Sequence, residues 1–236
     1  GTSSMTEISL PSTLKSLGYQ VFERTGLISC VFPDGCKMSY GVLDECYELT
    51  YAKLPSDMTV IPESMFQGCS KLENIDLPPG FTDIGERAFS GTAIKSFVIP
   101  KEMTVIRYGT FYNCKQLEEI TLPPNLTEIE ERAFMYCYSL KRVIQADGSY
   151  NEGEFFIPEG VTELGEYAIY FDSPYLHTVR LPSTLETVVQ KSFVSPMLER
   201  FTMNKLNPKF DIRNNSVVET ATGILVGGCT QGGSID

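Results

Sequence analysis

Apolar positions recur along this chain in step with a ladder of prolines. Pro11, Pro33, Pro55, Pro78, Pro100, Pro123, Pro158 and Pro182 lie 22, 22, 23, 22, 23, 35 and 24 residues apart. The residue before each proline is apolar: Leu10, Phe32, Leu54, Leu77, Ile99, Leu122, Ile157 and Leu181. Three residues further on stand Leu14, Cys36, Met58, Phe81, Met103, Leu126, Val161 and Leu185, and at plus six Leu17, Ser39, Ile61, Ile84, Ile106, Ile129, Leu164 and Val188. Plus eleven holds Phe22, Phe66, Phe89, Phe111, Phe134, Ile169 and Phe193, with Asp44 beside Leu43 in the second unit. Threonine fills plus four in five units: Thr59, Thr82, Thr104, Thr127 and Thr162. A fixed period of this length means that one small unit is stacked many times, and 20–29 residues is the range of leucine-rich repeats.

Each unit divides into two halves. The stretch before the proline, as in Leu72-Glu73-Asn74-Ile75-Asp76-Leu77, alternates and predicts a short strand. Proline ends it, because it cannot donate to a continuing ladder. Gly85-Glu86-Arg87-Ala88-Phe89, echoed by Glu130-Glu131-Arg132-Ala133-Phe134, predicts a single helical turn before the chain returns. One such unit cannot bury its phenylalanine, but stacked neighbours can, so the plus-eleven rings are expected to form a spine.

Leu122-Pro123-Pro124-Asn125-Leu126-Thr127-Glu128-Ile129 and the run from Ile129 to Leu140 resemble the BspA-like family of leucine-rich repeats, over roughly residues 8–205. The resemblance implies a right-handed α/β solenoid, with a parallel β-sheet on one face and short helical turns on the other. It also implies a bacterial cell-surface or secreted protein in adhesion or protein recognition, and it brings no catalytic residues. The expected division is a solenoid of about eight units over 1–206, with an insertion at 145–156, and a capping hairpin and tail over 207–236. Within that tail, Ser216 to Val226 reads as a hairpin turning at Ala221-Thr222-Gly223.

Charge narrows the partners. A formal net charge of −11 argues against nucleic acid and against an anionic membrane surface. No apolar run approaches the ~20 residues that span a bilayer. Gly1-Thr2-Ser3-Ser4 reads as a tag remnant, so the lack of a visible signal peptide carries no weight for location. The expected partner is a protein or a glycan, met by a monomer that needs no cofactor.

Cys46, Cys69, Cys114 and Cys137 share one slot, which Thr92 fills elsewhere, so the cysteines are expected as buried thiols and not as disulfides or a zinc site. The single histidine, His177, occupies the slot of Glu73, Lys95, Glu118 and Lys141, a solvated position beside a strand. With no second histidine, a serine–histidine triad or multi-histidine metal site has no components. Paired acids such as Glu118-Glu119 are sequence neighbours on exposed slots and do not face each other across a cleft. Asp147, Ser149 and Asn151 alternate like the start of a calcium loop, but Glu152 stands where glycine is needed and Pro158 where a bidentate glutamate is needed. The long step is therefore expected as a solvent-exposed hairpin that disturbs no core slot, and as a second candidate for binding.

The outward residues of each strand do not repeat: Ser29 and Val31, Tyr51 and Lys53, Asn74 and Asp76, Ser96 and Val98, Glu119 and Thr121, Arg142 and Ile144, Thr178 and Arg180, Arg200 and Thr202. Packing fixes the inward set and leaves this one free. The candidate ligand-binding face is accordingly Tyr51, Lys53, Asn74, Asp76, Glu119, Arg142, Thr178, Arg180 and Arg200, with the three arginines read as a row able to meet carboxylates. Recognition is the leading function. A structural spacer presenting another module is the alternative, and an enzyme is disfavoured by the missing nucleophile–base pair.

Overall fold

The computed structural model describes residues 5–170, 173–189, 191–203 and 205–228. The stretches before the prolines are strands: Ser29–Val31, Tyr51–Lys53, Asn74–Asp76, Ser96–Val98, Glu119–Thr121, Glu154–Phe156 and Thr178–Leu181. Arg142–Ile144 and Arg200–Met203 join them without a following proline. They pair in parallel within three ladders, slot against slot: Tyr51 opposite Ser29 and Asn74, Glu119 opposite Ser96 and Arg142, Thr178 opposite Glu154 and Arg200. The inward residues Cys30, Ala52, Phe97, Ile120, Val143, Phe155, Val179 and Phe201 are buried, and Ile75 is half-buried against the same core.

A second face begins at the threonine slot. Two-residue strands at Val105–Ile106, Glu128–Ile129, Glu163–Leu164 and Thr187–Val188 run in parallel register. The threonines bind along the stack: Thr127 Oγ1 donates to the Thr104 carbonyl at 2.9 Å and Thr162 Oγ1 to the Thr127 carbonyl at 3.3 Å. A hydroxyl there adds a bond between neighbouring units, which accounts for the recurrence of threonine.

The expected helical turns are not formed; among the described residues there is no helix. The backbone says why. The position nine after each proline (eight in the second unit) has positive φ in every unit: Gln20, Gly41, Ser64, Arg87, Gly109, Arg132, Tyr167 and Lys191, between 52° and 63°. A second left-handed position follows at Arg24, Glu45, Gly68, Gly91, Asn113 and Tyr136. A helix cannot pass through left-handed residues, and each non-glycine there costs about 1–2 kcal/mol. The return is hydrogen bonding between units. Arg87, Phe89 and Gly91 N–H donate to the carbonyls of Tyr108, Thr110 and Tyr112 at 2.9, 3.1 and 2.7 Å, and the pattern repeats at the next interface. The turn side is thus a third cross-unit ladder, built from alternating turns.

The phenylalanine spine is present. Phe66, Phe89, Phe111 and Phe134 are fully buried, with successive ring centroids 5.8, 5.8 and 5.7 Å apart. The cysteine slot beside it is buried but not merely apolar. Cys46, Cys69, Cys114 and Cys137 donate their thiols to the carbonyls of Phe22, Leu43, Phe89 and Phe111 at 2.9, 3.1, 3.1 and 3.2 Å. Thr25 and Thr92, in the same slot, turn their hydroxyls to Phe22 and Phe89. The slot selects a small donor, which is why cysteine and threonine share it.

Burial pushes the Cys114 thiol up to about 11 and that of Cys30 up to about 12, and holds Cys69 and Cys137 well above the ordinary range. Because the thiolate is the reactive form, Cys46, Cys69, Cys114 and Cys137 should stay unlabelled by a disulfide reagent at pH 8 until denaturant is added. Rapid native labelling of these four, read by mass spectrometry site by site, would contradict the packing. Cys229 lies outside the described residues.

The long step between Pro123 and Pro158 is not a bare loop. Gln145 stands 22 residues after Pro123, so a complete unit ends there with the strand Arg142–Ile144. A short remainder then makes an exposed hairpin over 146–152 and a further strand, Glu154–Phe156, which pairs with Thr178–Leu181. On the second face Glu128 pairs directly with Glu163, so the insertion adds a strand to the front alone. Contrary to expectation it also enters the core: Phe155 is fully buried and its ring lies 5.7 Å from Phe134. Gly153 takes a left-handed φ of 74°, which favours glycine, and an added Cβ would also displace the His177 ring, whose Nε2 lies 2.3 Å from it.

After Met203 the ladder gives way to antiparallel pairing. Phe210–Arg213, Ser216–Glu219 and Leu225–Gly228 form a three-stranded sheet, so the expected hairpin gains a strand on its outer side. Asn207, buried, ties the sheet to the last repeat. Its Nδ2 donates to the Pro182 and Leu185 carbonyls at 3.3 and 2.9 Å, while its Oδ1 accepts from the Lys209 and Phe210 N–H groups.

Candidate functional site

The front face presents two rows of side chains, because strand residues alternate about the sheet. Pairing places Ser29, Tyr51 and Asn74, then Ser96, Glu119 and Arg142, then Glu154, Thr178 and Arg200 in the first row. Val31, Lys53 and Asp76, then Val98, Thr121 and Ile144, then Phe156, Arg180 and Thr202 make the second. Arg142 and Arg200 therefore belong to one row and Arg180 to the other; the three arginines do not form a single line.

Neighbours in these rows bind one another. Tyr51 donates its phenol to Asp76 at 2.7 Å, diagonally across the ladder. Arg142 pairs with Glu119, reaches Glu152 at 4.0 Å and lies 5.5 Å from the centre of the Tyr150 ring. Arg180 sits 3.5 Å from Glu154 and 5.4 Å from the Phe156 ring centre. With side chains only 18% and 11% exposed, Arg180 and Glu154 are a largely buried pair. Thr178 is 3% exposed, not outward and free, because Arg200 Nε donates to its hydroxyl at 3.1 Å and covers it. His177 is half-buried, with Nδ1 3.4 Å from the same hydroxyl. Lys53, Asn74, Asp76 and Arg200 remain exposed, so the accessible part of the face is a mixed-charge surface with two exposed valines, Val31 and Val98.

The turn side carries a second constellation that the pattern of apolar slots does not single out. Residues in and beside the left-handed positions project there, and in the middle units these are tyrosines and arginines. Arg87 lies over the Tyr108 ring, 4.6 Å from its centre, and Arg132 Nη1 donates to the Tyr108 hydroxyl at 3.0 Å. Gly109 and Tyr112 complete a hollow of about 240 Å³ with these three. A second hollow of about 320 Å³ shares Arg87 and Tyr112 and continues past Gln67, Gly68, Gly91 and Asn113 to Glu45 and Tyr47. Further along, Tyr136 contacts Tyr112, Tyr138 and Tyr170 with ring centres 5.6, 5.8 and 5.2 Å apart. The sequence signal was present in the non-repeating residues of the turn half, masked by the expectation that they were the outer side of a helix.

Among the described residues no group of histidine, cysteine, aspartate and glutamate side chains could hold a metal ion. Asp147, the first residue of the calcium-like run, spends its carboxylate on the Ser149 N–H and hydroxyl at 2.9 and 2.7 Å. No described helix is long and apolar enough to cross a membrane.

Stacked short parallel strands, turns bonded from unit to unit and an apolar spine define a leucine-rich repeat β-solenoid. The chain belongs to the BspA type leucine-rich repeat family, whose profile matches six copies over residues 1–46, 37–151 and 147–215. Solved structures share the fold. A leucine-rich repeat protein from Bacteroides ovatus is 22% identical, with a TM-score of 0.56 over 86% of this chain and 61% of that one. A leucine rich cell surface protein from Faecalibacterium prausnitzii is 21% identical, with a TM-score of 0.51 over 85% and 68%. The chain thus spans less than two thirds of the B. ovatus protein. A search of curated proteins finds no match.

Proposed function

We propose that this solenoid is a non-catalytic recognition module of a bacterial cell-surface or secreted protein, and that its front sheet face binds a protein or glycan ligand in the manner of an adhesin. The observation that carries this is the contrast within each strand. The inward residue is a packed apolar side chain in every unit, while the two outward rows change from unit to unit along the three ladders. A surface of this kind is where repeat proteins place their contacts. The cell-surface description of the F. prausnitzii protein supports the location.

Pairing within the rows supports preorganisation: side chains such as Glu119 and Tyr51 are already fixed by neighbours, which lowers the ordering cost on binding. It also changes which residue is the informative probe. Arg180 is tied to Glu154, and reversing it would set two largely buried carboxylates together, so it acts on folding first. Arg200 and Lys53 are exposed; Lys53 tests contact alone, while reversing Arg200 also breaks its hydrogen bond to Thr178.

The test is a screen of immobilised extracellular-matrix proteins and a glycan array with the purified protein, repeated with Lys53→Glu and Arg200→Glu together. Saturable binding that weakens with salt and falls about tenfold or more in the double reversal is expected, because complementary charges speed association and are screened within about 10 Å. A chain that bound nothing in either format would be a spacer, and this reading would be wrong.

A further inference from the structure

The turn-side furrow is built unlike the front face, and it points to a ligand class of its own. We propose that the furrow bounded by Arg87, Tyr108, Tyr112 and Arg132 is a binding site for a carboxylated sugar within a glycan chain. The proposal stands apart from the front-face reading and can hold if that reading fails.

The first argument is concavity. Two hollows share Arg87 and Tyr112, so they form one channel crossing several units. Its floor is low because Gly68, Gly91 and Gly109 fill left-handed slots that carry Arg24, Tyr136 and Arg132 in other units. At ~4.8 Å per unit, a channel from Tyr47 to Arg132 crosses four unit steps and runs about 19 Å, long enough for a short oligosaccharide.

The second argument is unspent hydrogen-bonding capacity. On the front face the acids and bases largely satisfy one another. Here, among the described residues, Arg87 has no carboxylate within 4.0 Å and the Asn113 side-chain amide makes no hydrogen bond, while Gln67 accepts only a long contact of 3.4 Å from Ser64. These planar groups converge on the channel shared with the Tyr112 ring. Arginine presents a fork of donors matched to a carboxylate, and amides match the paired hydroxyls of a sugar. Tyrosine supplies a flat apolar surface with a polar edge.

Charge selects among acidic ligands. Arg132 is paired with Glu131 at 3.2 Å, so Arg87 is the cation of the furrow with no acidic partner, in a chain of net charge −11. A densely charged polyanion would be repelled by the molecule as a whole. An isolated carboxylate on an otherwise neutral, hydroxyl-rich chain is accepted. Aliphatic anchors are absent from the furrow lining, so a peptide side chain has no apolar pocket to fill.

The experiment is calorimetric titration of the folded chain with 3′-sialyllactose and with 6′-sialyllactose, using lactose and a short Asp/Glu peptide as comparisons. At least one acidic sugar should bind, lactose and the peptide at least tenfold more weakly. Arg87→Gln should weaken the acidic sugar about tenfold or more, as expected for loss of a charged hydrogen-bonding partner. Gly91→Tyr, which places in the channel the residue that Tyr136 carries at the same left-handed slot, should block binding while the chain stays folded, its thermal midpoint lower by only a few degrees because a non-glycine residue there is mildly strained. Arg200→Glu, on the front face, should leave the sugar affinity unchanged. Failure of both acidic sugars to bind, binding unaffected by Arg87→Gln and Gly91→Tyr, equal binding of lactose, or tighter binding of the peptide would each overturn the proposal.

Discussion

Replacing Phe111 by alanine should lower the unfolding free energy by about 3–5 kcal/mol, through lost transfer energy and the cavity left behind. The ring is fully buried and stacks within 7° of Phe89 and 4° of Phe134, with Phe97 5.1 Å away at a steep angle. Neighbours held by three cross-unit ladders cannot collapse into the gap. Because each unit touches only those beside it, the loss falls on one interface and should uncouple the two halves of the stack. A urea titration followed by far-ultraviolet circular dichroism should show an earlier and broader transition. An unchanged midpoint would mean that the ring is not where the spine requires it.

Gly85→Ala should be nearly as damaging, for the opposite reason. An added Cβ would lie 2.4 Å from the Glu63 nitrogen and 2.7 Å from its Cα, both backbone atoms of the preceding unit. No rotamer relieves that contact; the units must move apart and the turn-side bonds lengthen. The expected cost is about 2–3 kcal/mol, at the upper end of the overpacking range. Gly165, with 2.4 Å to the Glu131 nitrogen, should behave alike. Gly80→Ala is the control, since nothing lies within 4 Å of its added Cβ and the change should stay within ~0.5 kcal/mol. Equal thermal midpoints for the Gly85 and Gly80 variants would show that the units are not packed this closely.

The proline ladder and its apolar slots were enough to place most front strands and to separate inward from outward residues. That succeeded because a two-residue alternation and a fixed period are properties of the sequence itself. The turn half was misread as helical, since Glu-Arg-Ala-Phe has ordinary helix formers and nothing in it marks Arg87 as left-handed. The conformation is imposed by bonds to the next unit, so it belongs to the stack and not to the segment. The extra front strand was hidden because Gln145 replaces the expected proline. There the chain needs a donor: Gln145 N–H closes the hairpin on the Ser149 carbonyl at 2.8 Å, which proline cannot do. On the candidate face the residue types were legible but their partners were not. That Glu154 would meet Arg180, and that Arg200 would cover Thr178, follows only from the register across the inserted strand.

The front rows are proposed to make the ligand contact, with the exposed hairpin over 146–152 as the rival. The direct measurement is surface plasmon resonance with the ligand that the matrix and glycan screen returns. It compares Lys53→Glu with Arg200→Glu against Tyr150→Ser with Glu152→Ser, each pair in one chain. The front-face pair should weaken binding about tenfold or more, mainly through slower association, while the hairpin pair stays within about twofold. Loss of binding in the hairpin pair, with the front-face pair unchanged, would contradict it.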